Sequence, residues 1–241
     1  YVIVRQKKLS EIKSDFVNNM THELKTPIST ISLASEMLGD SAIQKDATNL
    51  KRISGLISEE SKRLGFQVEK VLQMSIFDHS RMVLKQNPLN IDELISKVVD
   101  SFSLQLQQKG AKITLNLNTQ SQTIPGDEIH LTNVLYNLLD NALKYSNVDP
   151  AIIISTRSNR KGITLKIKDN GIGMGKDSKK RIFEKFYRVP TGNIHNVKGF
   201  GLGLSYVKKI IVEHHGTIAV DSELTKGSEF TILLPFQRDN H

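Results

Sequence analysis

Leu9, Ile12, Phe16, Val17, Met20, Leu24, Ile28, Ile31 and Leu38 recur at helical spacing, and no glycine interrupts them before Gly39. A helix that long with one apolar stripe must find something to cover the stripe. A second stripe follows at Leu50, Ile53, Ile57, Leu64, Val68, Val71 and Leu72. Between them "GDSAIQKD" (Gly39 to Asp46) reads as a turn, with Gly39 ending the first helix. Two antiparallel helices cannot bury both stripes on each other completely. Residues 1–80 therefore read as a two-helix hairpin that dimerises into a four-helix bundle.

After "NPLN" (Asn87 to Asn90) the texture changes. "IDELISKVVDSFSLQLQQKG" reads as one amphipathic helix, with Asp92 and Glu93 in its first turn and Gly110 at its end. "AKITLNLN", "AIIISTRS" and "GITLKIKD" alternate as strands do, and two more helices are expected over Glu128 to Tyr145 and Leu202 to His215. "TIAVDSELTKGSEFTILLPF" closes the chain as a hairpin. This order implies an α+β sandwich over 91–241, a mixed sheet with helices on one face, joined to the hairpin by a linker at 81–90.

The 241 residues, 38% hydrophobic and 24% charged, have the composition of a globular protein, and no run of about 18 apolar residues spans a membrane. The opening "YVIVRQKK" is either an ordinary helix start or the inner end of a membrane helix. With no cysteine, disulfides and thiolate metal sites are excluded. The net charge of +8 is unevenly spread: residues 1–80 hold 11 Lys and Arg against 10 Asp and Glu, whereas Met174 to Lys198 holds seven against two. Positive charge so local suits a phosphate site better than a nucleic-acid face.

In "FVNNMTHELKTP" the helical wheel puts His22 opposite the apolar stripe, about 200° round from Met20. Thr26 lies one turn on along the same outward face, and Glu23 flanks the histidine. A metal site lacks its second histidine, because position 26 is Thr. Pro27 removes a backbone donor and should kink the helix there. Two readings stay open: a solvated surface histidine, the usual state of a lone exposed imidazole, or a nucleophile flanked by a carboxylate.

"NVLYNLLDNALKYS" spaces Asn133, Asn137 and Asn141 at i, i+4 and i+8, clustered with Lys144 and opposite a leucine face. Amide oxygens suit Mg²⁺, which keeps waters and takes further ligands from phosphates; Lys144 can pair with phosphate oxygens, and Tyr145 offers a ring for a base. In "DNGIGMG", directly after a strand, Gly171 and Gly173 allow close backbone approach, and Asp169 can accept from an exocyclic amine such as adenine N6. "KGFGLGLSYVKK" makes Lys198, Gly199, Gly201, Leu202 and Gly203 candidates for a phosphate-cradling helix start. Between the two glycine clusters, the basic segment with "RIFEKFYRV" would serve as a lid.

Taken in order, these motifs resemble the two-component sensor histidine kinases. "THELKTP" looks like the phosphoacceptor box, "NLLDNALKYS" the asparagine box, "DNGIG" and "GFGLGL" the two glycine boxes, and "IFEKFYRV" the phenylalanine box. The resemblance implies that His22 takes the γ-phosphoryl group of ATP while Glu23 orients the ring and accepts its other proton. It implies that Asn141, helped by Asn137, holds Mg²⁺, that Asp169 recognises adenine against Tyr145, and that Lys144 and Arg188 contact phosphates. Thr26 would position a water for dephosphorylating the partner. That partner would be a response regulator receiver domain, accepting phosphate on an aspartate. The protein would be a homodimer, the cytoplasmic part of an inner-membrane sensor, with no direct nucleic-acid contact. The ATP domain would swing onto the bundle about residues 81–90. Gly175 stands where a bulkier residue is common in the family. Three rivals remain: a hydrolytic clamp of the same superfamily, a nucleotide-binding scaffold, and a member that mainly dephosphorylates its partner. The clamps carry a water-activating glutamate four residues before the Mg²⁺ asparagine, and here that position is Asn137.

Overall fold

The computed structural model describes residues 21, 24–39, 47–78, 83–120, 122–146, 149–189 and 201–236. The chain divides into two compact units, Tyr1–Ser80 and Arg81–His241.

The first unit is helical: α1 covers 24–38 and α2 covers Ala47–Asp78. Along α1 the inward line runs through Leu24, Pro27, Ile31, Ala34 and Leu38, with Pro27 and Ala34 buried. Ile28, expected in the covered stripe, is 52% exposed, because it lies about 100° round from Pro27 at the rim of that line. On α2, Ile53 is buried while Leu56 and Val68 are exposed.

In the second unit the elements are β1 (Asn87–Asn90), α3 (Ile91–Ser101), α4 (Ser103–Gln108), β2 (Lys112–Asn116), β3 (Thr123–Gly126), α5 (Glu128–Lys144), β4 (Ala151–Asn159), β5 (Gly162–Asp169), α6 (Lys176–Arg181), α7 (Gly203–Glu213), β6 (Thr217–Glu223) and β7 (Gly227–Pro235). The main sheet has the order β2-β4-β5-β7-β6, in which only the β2–β4 pair is parallel. Period-two alternation gives it one dry face. Ile152 and Ile154, then Ile163, Leu165 and Ile167, then Phe230, Ile232 and Leu234 are buried, while Lys166 and Lys168 between them are exposed. The helices supply the facing side: Leu131, Val134, Leu135, Leu138, Leu139, Ala142 and Leu143 of α5, and Tyr206, Val207, Ile210 and Ile211 of α7. Each buried Leu, Ile, Val or Phe among them contributes about 1.5–3 kcal/mol.

Three sequence expectations need amendment. Asn87–Asn90 pairs antiparallel with β3, and Asn90 caps α3 by accepting from the N–H groups of Asp92 and Glu93, so the end of the expected linker is built into the second unit, which begins at Arg81. The expected single helix from Ile91 breaks at Phe102, whose buried ring packs 4.8 Å from Tyr136 and redirects the chain. Asp92 does more than favour a helix start: its two oxygens accept from Thr119 N–H, Thr119 Oγ1 and Thr156 Oγ1, fastening α3 to the sheet.

Candidate functional site

Asp169 ends β5 with the same parity as Ile163, Leu165 and Ile167, so alternation carries its carboxylate onto the core face, across from Ile152 and Ser228. Its Oδ1 accepts from the N–H of Gly171 at 2.8 Å and of Ser228 at 3.2 Å. Oδ2 has no hydrogen-bond partner among the described residues. Burial pushes the carboxyl above its ordinary pKa, and the two N–H bonds pull the other way without cancelling that rise.

The loop after Asp169 is gripped from two sides. On one side, the Tyr145 carbonyl, at the C-terminus of α5, accepts the Ile172 N–H at 3.0 Å. A side chain at Gly171 would place its Cβ 2.5 Å from that carbonyl oxygen. On the other, the β6–β7 turn holds the loop through Thr225 N–H to the Ile172 carbonyl and Met174 N–H to Ser222 Oγ. Gly173 sits at φ +64°, where a Cβ would overlap the Glu223 carbonyl oxygen. Only glycine fits both the dihedral and the space.

The phenylalanine-box segment and the second glycine box meet at one point. The Phe186 N–H donates to the Gly201 carbonyl at 2.8 Å, and a Cβ on Gly201 would stand 2.7 Å from the Phe186 carbonyl carbon. Near it the Arg181 guanidinium lies 4.3 Å from the Tyr187 ring centre. Gly203 begins α7 directly against α5, where a Cβ would stand 2.6 Å from Asn137 Oδ1. Asn137 Nδ2 donates to the Asn133 carbonyl, which aims its oxygen toward Gly203. The Asn141 side chain, one turn on, is half-buried and has no hydrogen-bond partner among the described residues.

Residues 12–80 match the His Kinase A (phospho-acceptor) domain, and residues 126–238 match the histidine kinase-, DNA gyrase B-, and HSP90-like ATPase family. The sensor protein RprX of Bacteroides fragilis is 52% identical over 242 residues, covering 100% of this chain and 47% of that protein. The chain carries both domains of a sensor histidine kinase's catalytic portion. Another relative, the sensor-like histidine kinase SenX3 of Mycolicibacterium smegmatis, is 31% identical across 95% of this chain and 59% of its own length. The chain thus spans about half the length of the curated relatives it matches. Among solved structures, the Acinetobacter baumannii histidine kinase AdeS superposes with a TM-score of 0.63 at 26% identity, over 90% of this chain and 98% of that one. Histidine kinase ThkA in complex with response regulator TrrA shares the fold, with a TM-score of 0.63 at 23% identity over 98% of this chain and 65% of that one.

Of the residues expected in this kinase's site, the structure brings Asn137 against Gly203, Tyr145 against Gly171, and Phe186 against Gly201. Leu202 is buried just ahead of α7. Thr26 is exposed on α1, in agreement with the wheel, and Arg188 is exposed beyond α6. Lys144, read as a phosphate partner, forms an ion pair with Asp140 one turn earlier, so any phosphate contact competes with that pair. His22, Glu23, Lys198 and Gly199 lie outside the described residues.

Sequence reasoning missed two polar groups. One is Ser222 and Ser228 on the closing hairpin, distant in sequence from Asp169 and without any motif to mark them. The other sits at the far end of α5. There Asp127 caps the helix and also accepts the Lys85 N–H, while its own N–H donates to Nε2 of buried His214, whose Nδ1–H goes to the Ile210 carbonyl. Burial holds the His214 imidazole below its ordinary pKa. Burial alone would raise the Asp127 carboxyl, but the Lys85, His130 and Ile129 N–H bonds and the nearby His130 outweigh it and bring it below the ordinary value.

Proposed function

We propose that this chain is the catalytic core of a sensor kinase that transfers the γ-phosphoryl group of ATP to His22 and thence to an aspartate of a response regulator. One observation carries the reading. A phospho-acceptor match containing His22 and an ATPase-family match containing Asn137, Asn141, Asp169 and the glycine loops lie on one chain, in the order found across the whole alignment to RprX.

In this reading the open Oδ2 of Asp169 accepts from the adenine amine, and Tyr145 with Gly171 and Gly173 walls the base. The carbonyl grip on the 169–174 loop keeps that acceptor in place without a side chain moving. Lys198, Gly199, Gly201, Leu202 and Gly203 present backbone N–H groups and the start of α7 to phosphate oxygens. Lys144 and Arg188 add positive charge beside them. The Asn141 amide, without a hydrogen-bond partner among the described residues, and the Asn137 oxygen are neutral, hard donors that fit Mg²⁺, which when bound would neutralise charge on the transferring phosphate. His22 supplies an imidazole nitrogen as the phosphoryl acceptor, and Glu23 fixes the ring by taking the proton on the other nitrogen. Thr26, exposed four residues on, would hold a water for dephosphorylating the regulator.

The exposed apolar residues Ile28, Leu56 and Val68 of the first unit support a homodimer, in which a second hairpin would cover them. The response regulator is supported by the ThkA–TrrA structure. Relatives about twice the length of this chain support a longer sensor protein, anchored in the inner membrane with this portion in the cytoplasm. The position four residues before Asn141 is Asn137, which argues against the hydrolytic clamp.

Incubation with γ-labelled ATP and Mg²⁺ tests the proposal. Acid-labile, alkali-stable label on the wild type and none on His22→Gln is expected. Free phosphate from both, with no label retained, would revive the ATPase alternative.

A further inference from the structure

Ser222 belongs to no motif, yet its side chain is one of the points at which the β6–β7 hairpin holds the Asp169 loop, beside the backbone bond from Thr225 to Ile172. The residue is 7% exposed. Its Oγ accepts the Met174 N–H at 2.8 Å across 48 residues of sequence and donates to the Gly227 carbonyl at 2.8 Å. It also lies 3.0 Å from Ser228 Oγ. A hydroxyl has one proton and two acceptor positions. With its proton spent on Gly227, Ser222 takes one bond from Met174 and one from the Ser228 hydroxyl, and is saturated. Ser228 in turn donates its N–H to Asp169 Oδ1. The path Met174–Ser222–Ser228–Asp169 thus closes a ring around the loop, in which Ser222 holds the Met174 end and Ser228 the Asp169 end.

We propose that Ser222 is a positioning residue for base recognition: its hydroxyl fixes the 169–174 loop so that Asp169 presents Oδ2 to the base. The inference rests on the nucleotide reading above. Removing the hydroxyl leaves the half-buried Met174 N–H without its acceptor and lets the loop sample arrangements in which Asp169 turns away.

The test measures binding of ADP and GDP, with Mg²⁺, to the whole chain by titration calorimetry. The wild type is expected to prefer ADP. Ser222→Ala should weaken ADP about tenfold and GDP much less, collapsing the preference, and Ser222→Thr, which keeps the hydroxyl, should restore it. Simple destabilisation would reduce the competent fraction equally for both nucleotides and leave their ratio unchanged, so an unchanged ratio in Ser222→Ala overturns the proposal. Should the alanine variant not fold, Ser222→Cys, close in volume and a poor acceptor, carries the same comparison. A wild type that binds neither nucleotide would overturn the nucleotide reading itself.

Discussion

Asp169 is a carboxyl that the fold makes harder to ionise, because strand parity places it on the dry face of the sheet. A folded pKa above the unfolded one means that its contribution to stability is largest below the ordinary carboxylate range and is lost as pH rises through the folded value. At neutral pH the ionised group is therefore a burden on folding, which the proposed contact with the adenine amine would account for. Asp169→Asn retains an oxygen for the Gly171 and Ser228 N–H groups and should be at least as stable as the wild type at pH 7, with the difference narrowing toward pH 4. The same variant should lose about 1.5–3 kcal/mol of nucleotide affinity, the worth of a charge-assisted hydrogen bond. Thermal melts across pH and a nucleotide titration check the two halves separately. His214 has the opposite chemistry and gives a second pH dependence. Its imidazole is held neutral, so the unfolded chain binds the proton first, and stability should be full above about pH 6.5 and fall as pH drops through the lower folded value. Melting of His214→Gln, which keeps an acceptor for the Asp127 N–H, should show a shallower fall between pH 7.5 and 5.5; equal slopes would dismiss His214 as the source.

Helices α5 and α7 position the site through what they lack as much as through what they carry. Gly203 has an ordinary helical environment, and the obstacle to a Cβ there is the end of the Asn137 side chain. Gly203→Ala should leave the melting temperature unchanged or slightly raised, since alanine is the better helix former by up to about 1 kcal/mol. It should nonetheless impair Mg²⁺-dependent nucleotide binding, because Asn137 must turn aside. Gly173→Ala should behave differently: positive φ and a backbone oxygen in the way leave nothing flexible to yield. That substitution should lower stability by about 2 kcal/mol or more and abolish binding. Circular dichroism melts with parallel binding assays separate the two glycines. If Gly203→Ala proved as destabilising as Gly173→Ala, the account of Asn137 as the yielding neighbour would be wrong. Gly175 meets nothing within 4 Å of its Cβ position, so the bulkier residue common there in the family would be accommodated without strain.

For the molecule as a whole, the question is what covers the first unit. Ala34 and Ile53 are buried in a single chain, but Ile28, Leu33, Leu56 and Val68 are not. A second copy burying such residues makes a stable bundle, and a lysine placed among them would have to be desolvated. Leu56→Lys should shift the protein from dimer to monomer in sedimentation velocity at micromolar concentration, with the melting of the second unit unaltered. A dimer of unchanged strength would place the interface elsewhere.

Periodicity is local, and what depends on it was legible in the chain: the helical hairpin, the strands β4, β5, β6 and β7, and the outward face of Thr26. The glycine clusters could be read as well, because a backbone held at positive φ or against another backbone narrows the residue choice to one. Contacts between distant segments could not be read. Nothing near Phe102 announces that its ring must meet Tyr136, and nothing near Lys85 that its N–H is taken by Asp127. β1 and β3, four residues each, are too short for alternation to mark, and β1 contains a proline; their pairing exists because each edge finds the other. The sequence by itself determined the longer elements and the kinds of group brought to the site, since each is set by spacing within a few turns of chain. Only the tertiary structure decided that Ser222 would hold the Asp169 loop and that Lys144 would pair with Asp140, because a hydrogen bond or ion pair depends on which groups the fold delivers within about 3 Å.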